Sequence, residues 1–162
     1  MLQIRALLQR LSNAGVDFVI LGGVAGIAHG YIRFTPDLDI CYNRAPGALE
    51  KLVATLAPLH PTLRGAPPNV PFKWDARTLK AGLNFTLTTD LGSLDLIGEV
   101  TGIGQYEAVV AASEILTLYD QPCRVLTLDA LIRSKRAAGR KRDLEHVIEL
   151  EALKDLRSKR KD

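Results

Sequence analysis

Two aspartates that alternate with apolar residues constrain this chain more than any other feature. They stand in the run Asp37-Leu38-Asp39-Ile40, and such alternation is typical of a β-strand with one buried face. Side chains at positions i and i+2 of a strand project from the same face, so both carboxylates should point the same way, with Cα atoms roughly 6 to 7 Å apart. Carboxylates held in this way repel each other, and a hard divalent cation such as magnesium relieves the repulsion. The run therefore predicts a metal site on a strand.

A glycine turn precedes these acids. Residues 17–21 predict a short buried strand, Gly22 and Gly23 a sharp exit from it, and residues 24–30 a short helix. Because glycine has no Cβ, backbone N–H groups at such a turn can face an anion closely. The turn is therefore a candidate phosphate-binding element.

A third acid stands in a later apolar alternation. Residues 84–88 and 93–97 flank a turn at residues 89–92 and predict a hairpin whose second strand carries Asp95. That strand can pair beside the strand that carries Asp37 and Asp39. The three aspartates are therefore candidates for one site.

These motifs together resemble the nucleotidyltransferase superfamily, which includes polymerase-β-like enzymes and small bacterial nucleotidyltransferases. The shared pattern is a glycine pair, a gap of thirteen residues, Asp-x-Asp on a strand and a later strand-borne aspartate. The sequence RFTPDLD at residues 33–39 is closer still to the branch that contains nucleotidyltransferase toxins of toxin-antitoxin modules. The resemblance covers residues 15–100 well and the C-terminal third loosely.

The resemblance implies an α/β fold, with a small mixed sheet, helices mainly on one face and a C-terminal helical segment. It implies transfer of a nucleoside monophosphate from a nucleoside triphosphate to an acceptor hydroxyl. The cofactor would be Mg²⁺ or Mn²⁺, bound by Asp37, Asp39 and Asp95, and Asp95 would also help to deprotonate the acceptor.

The phosphates would lie against Gly22 and Gly23. Many family members have serine directly after the first glycine, where this chain has Gly23. Phosphate contact would then depend on backbone N–H groups alone, with positive charge from Arg33 or from a later lysine.

Positive charge is concentrated near the C-terminus. Residues 133–162 contain 11 of the 21 Lys and Arg residues but only 6 of the 18 Asp and Glu residues. The pattern predicts one helix that ends at Gly139, a second that begins near Asp143, and fraying over residues 157–162. Such charges usually form a solvated helix face. The resemblance instead implies that Lys135 and Arg140 meet the triphosphate or the acceptor.

The acidic and glycine motifs also have simpler interpretations. The Asp-x-Asp run could be a solvated sheet edge, although an edge rarely coincides with a glycine turn and a third strand acid. The glycines at positions 22, 23 and 26 do not have the G-x-G-x-x-G spacing of a dinucleotide fingerprint. His29 is expected to cap a short helix, and its closeness to Arg33 leaves substrate contact open.

Composition is that of one ordinary globular domain, divided into a catalytic sheet with its helices at residues 1–127 and C-terminal helices at residues 128–162. The chain has 162 residues, of which 47% are hydrophobic. No run is long enough to span a membrane, and residues 1–10 predict an amphipathic helix rather than a secretory leader, so a cytoplasmic location is expected. Cys41 and Cys123 are expected to be buried free thiols.

The segment from residue 58 to residue 71 holds five prolines and is predicted to be a long loop. A further hairpin is predicted from residues 115–119 and 123–127, with Thr127 capping the helix that follows. Nothing in the sequence selects the nucleoside triphosphate or the acceptor, which could be RNA, a protein or a small molecule. The alternative is a non-catalytic nucleotide-binding or antitoxin-like partner protein of the same fold.

Overall fold

A seven-stranded mixed sheet forms the centre of the structure, a computed structural model that describes residues 1–161. The strands of this sheet are β1 (Phe18–Leu21), β2 (Asp37–Tyr42), β3 (Thr62–Leu63), β4 (Phe85–Thr89), β5 (Gly92–Ile97), β8 (Ser113–Leu118) and β9 (Gln121–Leu126), while β6 (Glu99–Val100) and β7 (Gly104–Gln105) pair with each other. The sheet order is β3-β4-β5-β2-β1-β9-β8. The pairs β2/β5 and β1/β9 are parallel, and the remaining pairs of this sheet are antiparallel.

Seven α-helices accompany the sheet within residues 1–161. They are α1 (Ile4–Asn13), α2 (Gly22–Ala28), α3 (Pro46–Leu56), α4 (Ala76–Ala81), α5 (Tyr106–Ala111), α6 (Leu128–Ala138) and α7 (Lys141–Lys161). Local chemistry sets the ends of α6. The backbone N–H of Ala130 donates to Thr127 Oγ1 at 3.1 Å, and Gly139 ends the helix in the left-handed region with φ +67°.

Strand alternation separates an apolar face of the sheet from an acidic one. Leu38 pairs with Leu94 across β2 and β5, and both side chains are fully buried. Asp39 pairs with Asp95 in the same register, on the opposite face. The burial of the leucines fixes the strand register, because a slip of one residue would move the acids into the core.

The predicted α/β class and mixed sheet are confirmed. The hairpin expected at residues 84–88 and 93–97 is formed by β4 and β5, and the one expected at 115–119 and 123–127 by β8 and β9. Both cysteines are buried free thiols, as expected. No helix within residues 1–161 combines the length and the apolar character needed to cross a membrane.

Two expectations were wrong. The proline-rich segment 58–71 is not only a loop, because its residues Thr62–Leu63 form β3 at the edge of the sheet. Fraying from residue 157 is also not observed, since α7 continues to Lys161. Arg157 Nη1 donates to Nδ1 of the buried His29 at 3.0 Å, which ties α7 to the end of α2. Residue 162, also included in the predicted fraying, lies outside the described residues.

Candidate metal and nucleotide site

The eight residues predicted to form the site line one cavity of about 410 Å³. Two strands, two helices and two connecting segments supply them, from positions that are up to 118 residues apart in the chain. The eight are Gly22, Gly23, Arg33, Asp37, Asp39, Asp95, Lys135 and Arg140.

Gly22 makes room for the carboxylate of Asp39. It has φ +60°, and a Cβ at this position would lie 2.1 Å from Asp39 Oδ2. A side chain here would therefore be strained by the backbone and would collide with the acid. From the sequence, this glycine was predicted to allow close approach of a phosphate. In the structure its immediate neighbour is Asp39, an acid of the same site.

Gly23 lies against Thr35, which sequence reasoning did not assign to the site. A Cβ on Gly23 would be 2.7 Å from Thr35 Oγ1 and 2.8 Å from Thr35 Cβ. The Thr35 hydroxyl donates to the backbone oxygen of Asp37 at 3.0 Å, and Thr35 lines the cavity. A hydroxyl from a distant residue therefore lies beside the backbone of Gly23, at a position where the family resemblance had implied backbone N–H groups alone.

The acids repel one another across neighbouring strands. The pKa of Asp39 is raised to about 7. Burial is the largest cause, followed by the charge of Asp95, a hydrogen bond with its carboxyl group and the charge of Asp37, while the charge of Lys135 acts in the opposite direction. Asp39 therefore carries only part of its negative charge at neutral pH. A cation bound beside it would favour the ionised form.

Arg64 covers the side of the acidic group nearest the sheet edge. Its Nη2 lies 2.6 Å from Asp95 Oδ1, and its Nη1 lies 3.8 Å from Asp37 Oδ1. Sequence reasoning missed this residue because it lies in the segment that was expected to be a loop. Its backbone N–H donates to Thr86 O, so Arg64 continues the pairing of β3 with β4. Alternation after the inward-facing Leu63 then places Arg64 on the acidic face.

The basic residues of α6 and α7 are arranged around a buried acid, Asp143. Arg140 Nε donates to Asp143 Oδ2 at 2.6 Å, and Lys135 Nζ lies 4.0 Å from Asp143 Oδ1. Burial alone would raise the pKa of Asp143, but its hydrogen bond to Arg140 and the charges of Arg140 and Lys135 hold that pKa below its ordinary value. Burial lowers the pKa of Lys135, and the charges of Asp143 and Asp39 oppose that shift. Asp143 therefore orients the two predicted cations.

His146 and Arg142 also line the cavity, and sequence reasoning missed both. Burial lowers the pKa of His146, and the charges of Lys135, Arg33 and Arg142 lower it further. Lys135 Nζ lies 3.3 Å from His146 Nδ1, so the neutral ring carries its proton on Nε2. This buried Nε2 has no hydrogen-bond partner within residues 1–161. Arg142 and His146 lie on α7 and Lys135 lies on α6, so only the packing of α7 on α6 brings them together.

Arg33 lies at the mouth of the cavity with about half of its side chain exposed. Its Nη1 donates to the Tyr31 hydroxyl at 3.2 Å and lies 3.8 Å from Glu149 Oε2. Substrate contact by His29, left open by the sequence, is not supported, because His29 is buried and contacts Leu126 O and Arg157.

A second cleft of about 440 Å³ meets the first at the acids. Asp39, Asp95 and Lys135 line both clefts. The second cleft also touches Gly22 and continues past Asn84 and Thr101. The acids therefore lie where the two clefts meet.

The acidic group offers two carboxylates to a divalent cation, Asp37 and Asp39. Within residues 1–161, no three or more His, Cys, Asp or Glu side chains are assembled as a ready set of metal ligands. Magnesium commonly takes only one or two carboxylates and completes its shell with water and substrate phosphates. Asp37 and Asp39 meet that requirement, because they share a strand face and because the negative charge at Asp39 is poorly compensated.

Comparison with known proteins supports the fold. No protein-family model matches the chain, and no curated protein sequence matches it. The chain is similar to the crystal structure of a Thermotoga maritima protein described as a putative nucleotidyltransferase, with a TM-score of 0.53 and 14% sequence identity. The match covers 98% of this chain and 96% of the other. The chain therefore has the mixed α/β fold of that structure over nearly its whole length.

Proposed function

We propose that this protein is a metal-dependent nucleotidyltransferase, which moves a nucleoside monophosphate from a nucleoside triphosphate to an acceptor hydroxyl. One observation carries the proposal. The two walls of a single cavity have opposite charge, with Asp37 and Asp39 on the sheet and Lys135, Arg142 and Arg33 opposite or at the mouth. A metal-triphosphate has a cation and anionic phosphates side by side, and this arrangement can hold both.

Each part of the site has a role in this proposal. Asp37 and Asp39 would hold Mg²⁺ or Mn²⁺, which when bound would supply positive charge to the transferring phosphate. Gly22 and Gly23 would let the phosphates lie against the backbone. Lys135 would stabilise the charge that develops on the leaving pyrophosphate, as would Arg140, which is three-quarters exposed and can turn toward it.

The acceptor would enter through the second cleft. Its hydroxyl oxygen would form a bond to the α-phosphorus while the bond from that phosphorus to the pyrophosphate oxygen breaks. The proton of the hydroxyl would pass to Asp95, which faces both clefts. RNA, a protein side chain and a small molecule each provide a hydroxyl that fits this chemistry.

Calorimetry tests the proposal. A non-hydrolysable nucleoside triphosphate analogue should bind tightly only in the presence of Mg²⁺ or Mn²⁺, and Asp37→Asn and Asp39→Asn should each remove that dependence. Asp155→Asn, a change of equal charge on the exposed surface of α7, is the control. Equal affinity with and without metal in the unmodified protein would contradict the assignment of the site.

A second candidate is a nucleotide-binding partner protein without turnover, such as the antitoxin-like relative considered above. It is favoured by the ion pair of Asp95 with Arg64, which leaves Asp95 without a free carboxylate oxygen at Oδ1. Nucleotide transfer to total RNA or protein, followed with an α-labelled triphosphate, distinguishes the two candidates. Metal-dependent binding without any transfer would favour the partner protein.

A further inference from the structure

Arg64 is held in place by the sheet at both ends of its side chain. Its backbone N–H donates to Thr86 O at 2.9 Å, and its Nη1 donates to Leu87 O at 2.8 Å. The guanidinium then crosses β4 to reach Asp95 on β5 and Asp37 on β2. Only about a third of the Arg64 side chain is exposed, and Asp95 is more buried still. The contact is therefore built into the sheet edge and is unlike a mobile surface ion pair.

Positive charges lie on two sides of the acidic group. Arg64 lies on Asp95, while Lys135 acts on Asp39 from the other wall of the cavity. A metal ion on Asp95 would need a carboxylate oxygen at roughly 2.0 to 2.1 Å. Since Arg64 Nη2 already lies 2.6 Å from Oδ1, such an ion would be close to the guanidinium, and the two positive charges would repel each other.

We propose that Arg64 competes with divalent cations for Asp95. In the resting protein Arg64 holds Asp95 at 2.6 Å and Asp37 only at 3.8 Å, so Asp37 and Asp39 can bind a metal first. Arg64 must leave Asp95 before this acid can bind a metal or accept a proton. The inference rests on the proposed function, because it concerns the same acids. It adds a residue that limits how many ions the site holds.

Manganese titration followed by electron paramagnetic resonance tests the proposal, since the signal measures free Mn²⁺ and no nucleotide is needed. Arg64→Gln should bind Mn²⁺ about tenfold more tightly than the unmodified protein, because one nearby positive charge is gone. Arg64→Lys should lie between the two, because lysine keeps the charge but not the paired contacts of the guanidinium. Arg5→Gln removes an equal charge at the exposed pair with Asp120 and is the matched control, expected to change the affinity by less than about twofold.

The outcomes separate this inference from the proposed function. Unchanged or weaker Mn²⁺ binding in Arg64→Gln, with binding in the unmodified protein that Asp39→Asn removes, would overturn the role of Arg64 alone. Tighter Mn²⁺ binding in Arg64→Gln without any nucleotide binding would support it and contradict the transferase. Absence of Mn²⁺ binding in all variants would overturn both.

Arg64→Gln also leaves Asp95 unpaired and can lower stability, so thermal unfolding provides a second measurement. Metal bound to the native state raises the melting temperature. The rise caused by Mn²⁺ should be larger in Arg64→Gln than in the unmodified protein or in Arg5→Gln. An equal or smaller rise would count against competition at Asp95. If Arg64→Gln does not fold without metal, recovery of folding by Mn²⁺ gives the supporting result and failure to recover gives the opposing one.

Discussion

The carboxylate of Asp39 lies where a side chain on Gly22 would have to be, since a Cβ there would stand 2.1 Å from Asp39 Oδ2. Leu21 and Asp39 are paired in the register of β1 and β2, and β1 ends at Leu21. Gly22 therefore follows directly after the residue that is paired with the acid. The close approach joins the glycine turn and the acidic pair into one structural unit. The spacing between these two motifs is therefore fixed by contact.

Gly22→Ala should separate this unit. The left-handed φ and the collision with Asp39 together predict a loss of roughly 2 to 4 kcal/mol in the free energy of unfolding. Metal-dependent nucleotide binding should fall with it, because the Asp39 side chain must turn away. Urea unfolding and calorimetry measure the two effects.

Gly47→Ala is the control for this change. Gly47 lies within α3, and a Cβ there would meet nothing within 4 Å. Alanine in a helix is favoured over glycine, so stability should stay equal or rise by about 0.5 to 1 kcal/mol. A Gly22→Ala protein as stable as Gly47→Ala would show that the turn can relax without cost.

Gly23 and Thr35 should be coupled energetically. Gly23→Ala places a methyl group against Thr35 and should destabilise the fold by roughly 1 to 3 kcal/mol. Thr35→Gly removes both the obstacle and the hydroxyl that donates to Asp37 O. The double variant should therefore be about 1 kcal/mol more stable than the sum of the single effects predicts, as measured by a double-mutant cycle. Simple additivity would mean that the two side-chain positions do not compete for space.

The parts of the site that lie on regular strands could be predicted from the sequence. Alternation with buried leucines determines the side of the sheet on which Asp37, Asp39 and Asp95 lie, and that alternation is visible in the sequence alone. Thr127 and Gly139 likewise mark the two ends of α6 by local chemistry. The prediction that Lys135 and Arg140 reach the same cavity came from the family resemblance, and the structure places them there.

The parts that depend on long-range contacts could not be predicted. Arg64 reaches the acids because a two-residue strand, β3, pairs at the sheet edge, and a strand that short has no periodicity to detect. The prolines around it favoured a loop. Thr35 and His146 acquire their roles only when a loop folds over α2 and when α7 packs on α6. Arg157 was expected to fray because it lies among the last residues of the chain. Its partner His29 is 128 residues away in sequence, so local sequence could not indicate the contact.

Asp39→Asn should stabilise the protein most above neutral pH. The pKa of Asp39 rises from 3.8 in its ordinary state to about 7 in the fold, so between these values the native state holds a proton that the unfolded state has lost. Stability therefore decreases as pH rises from about 4 to 7 and then levels off. Asparagine removes this loss, which should add on the order of 4 kcal/mol at pH 8 and little at pH 4. Urea unfolding at both pH values checks this, and an equal effect at each would contradict the shifted pKa.

Asp95→Asn is the informative contrast, because this acid pairs with Arg64. Its removal leaves the guanidinium partly buried without a partner and should lower stability by roughly 1 to 3 kcal/mol. If the free energy of unfolding at pH 8 rises in Asp39→Asn and falls in Asp95→Asn, Asp39 is destabilised by its acidic neighbours and Asp95 is stabilised by Arg64. Stability changes of the same sign in both variants would mean that the two carboxylates share their negative charge.

The basic residues that serve the nucleotide should be those held by Asp143, and the last residues of α7 should not contribute. Lys135→Ala or Arg140→Ala should weaken binding of the triphosphate analogue by on the order of 1 to 3 kcal/mol, as expected for a charge-assisted contact. Deletion of residues 158–162 removes exposed positive charge but keeps Arg157 and its bond to His29, so both affinity and stability should change little. Arg157→Ala should instead lower the melting temperature while affinity is kept. If the deletion removes nucleotide transfer and both point variants retain it, the end of α7 binds the acceptor, and an RNA acceptor becomes the first substrate to test.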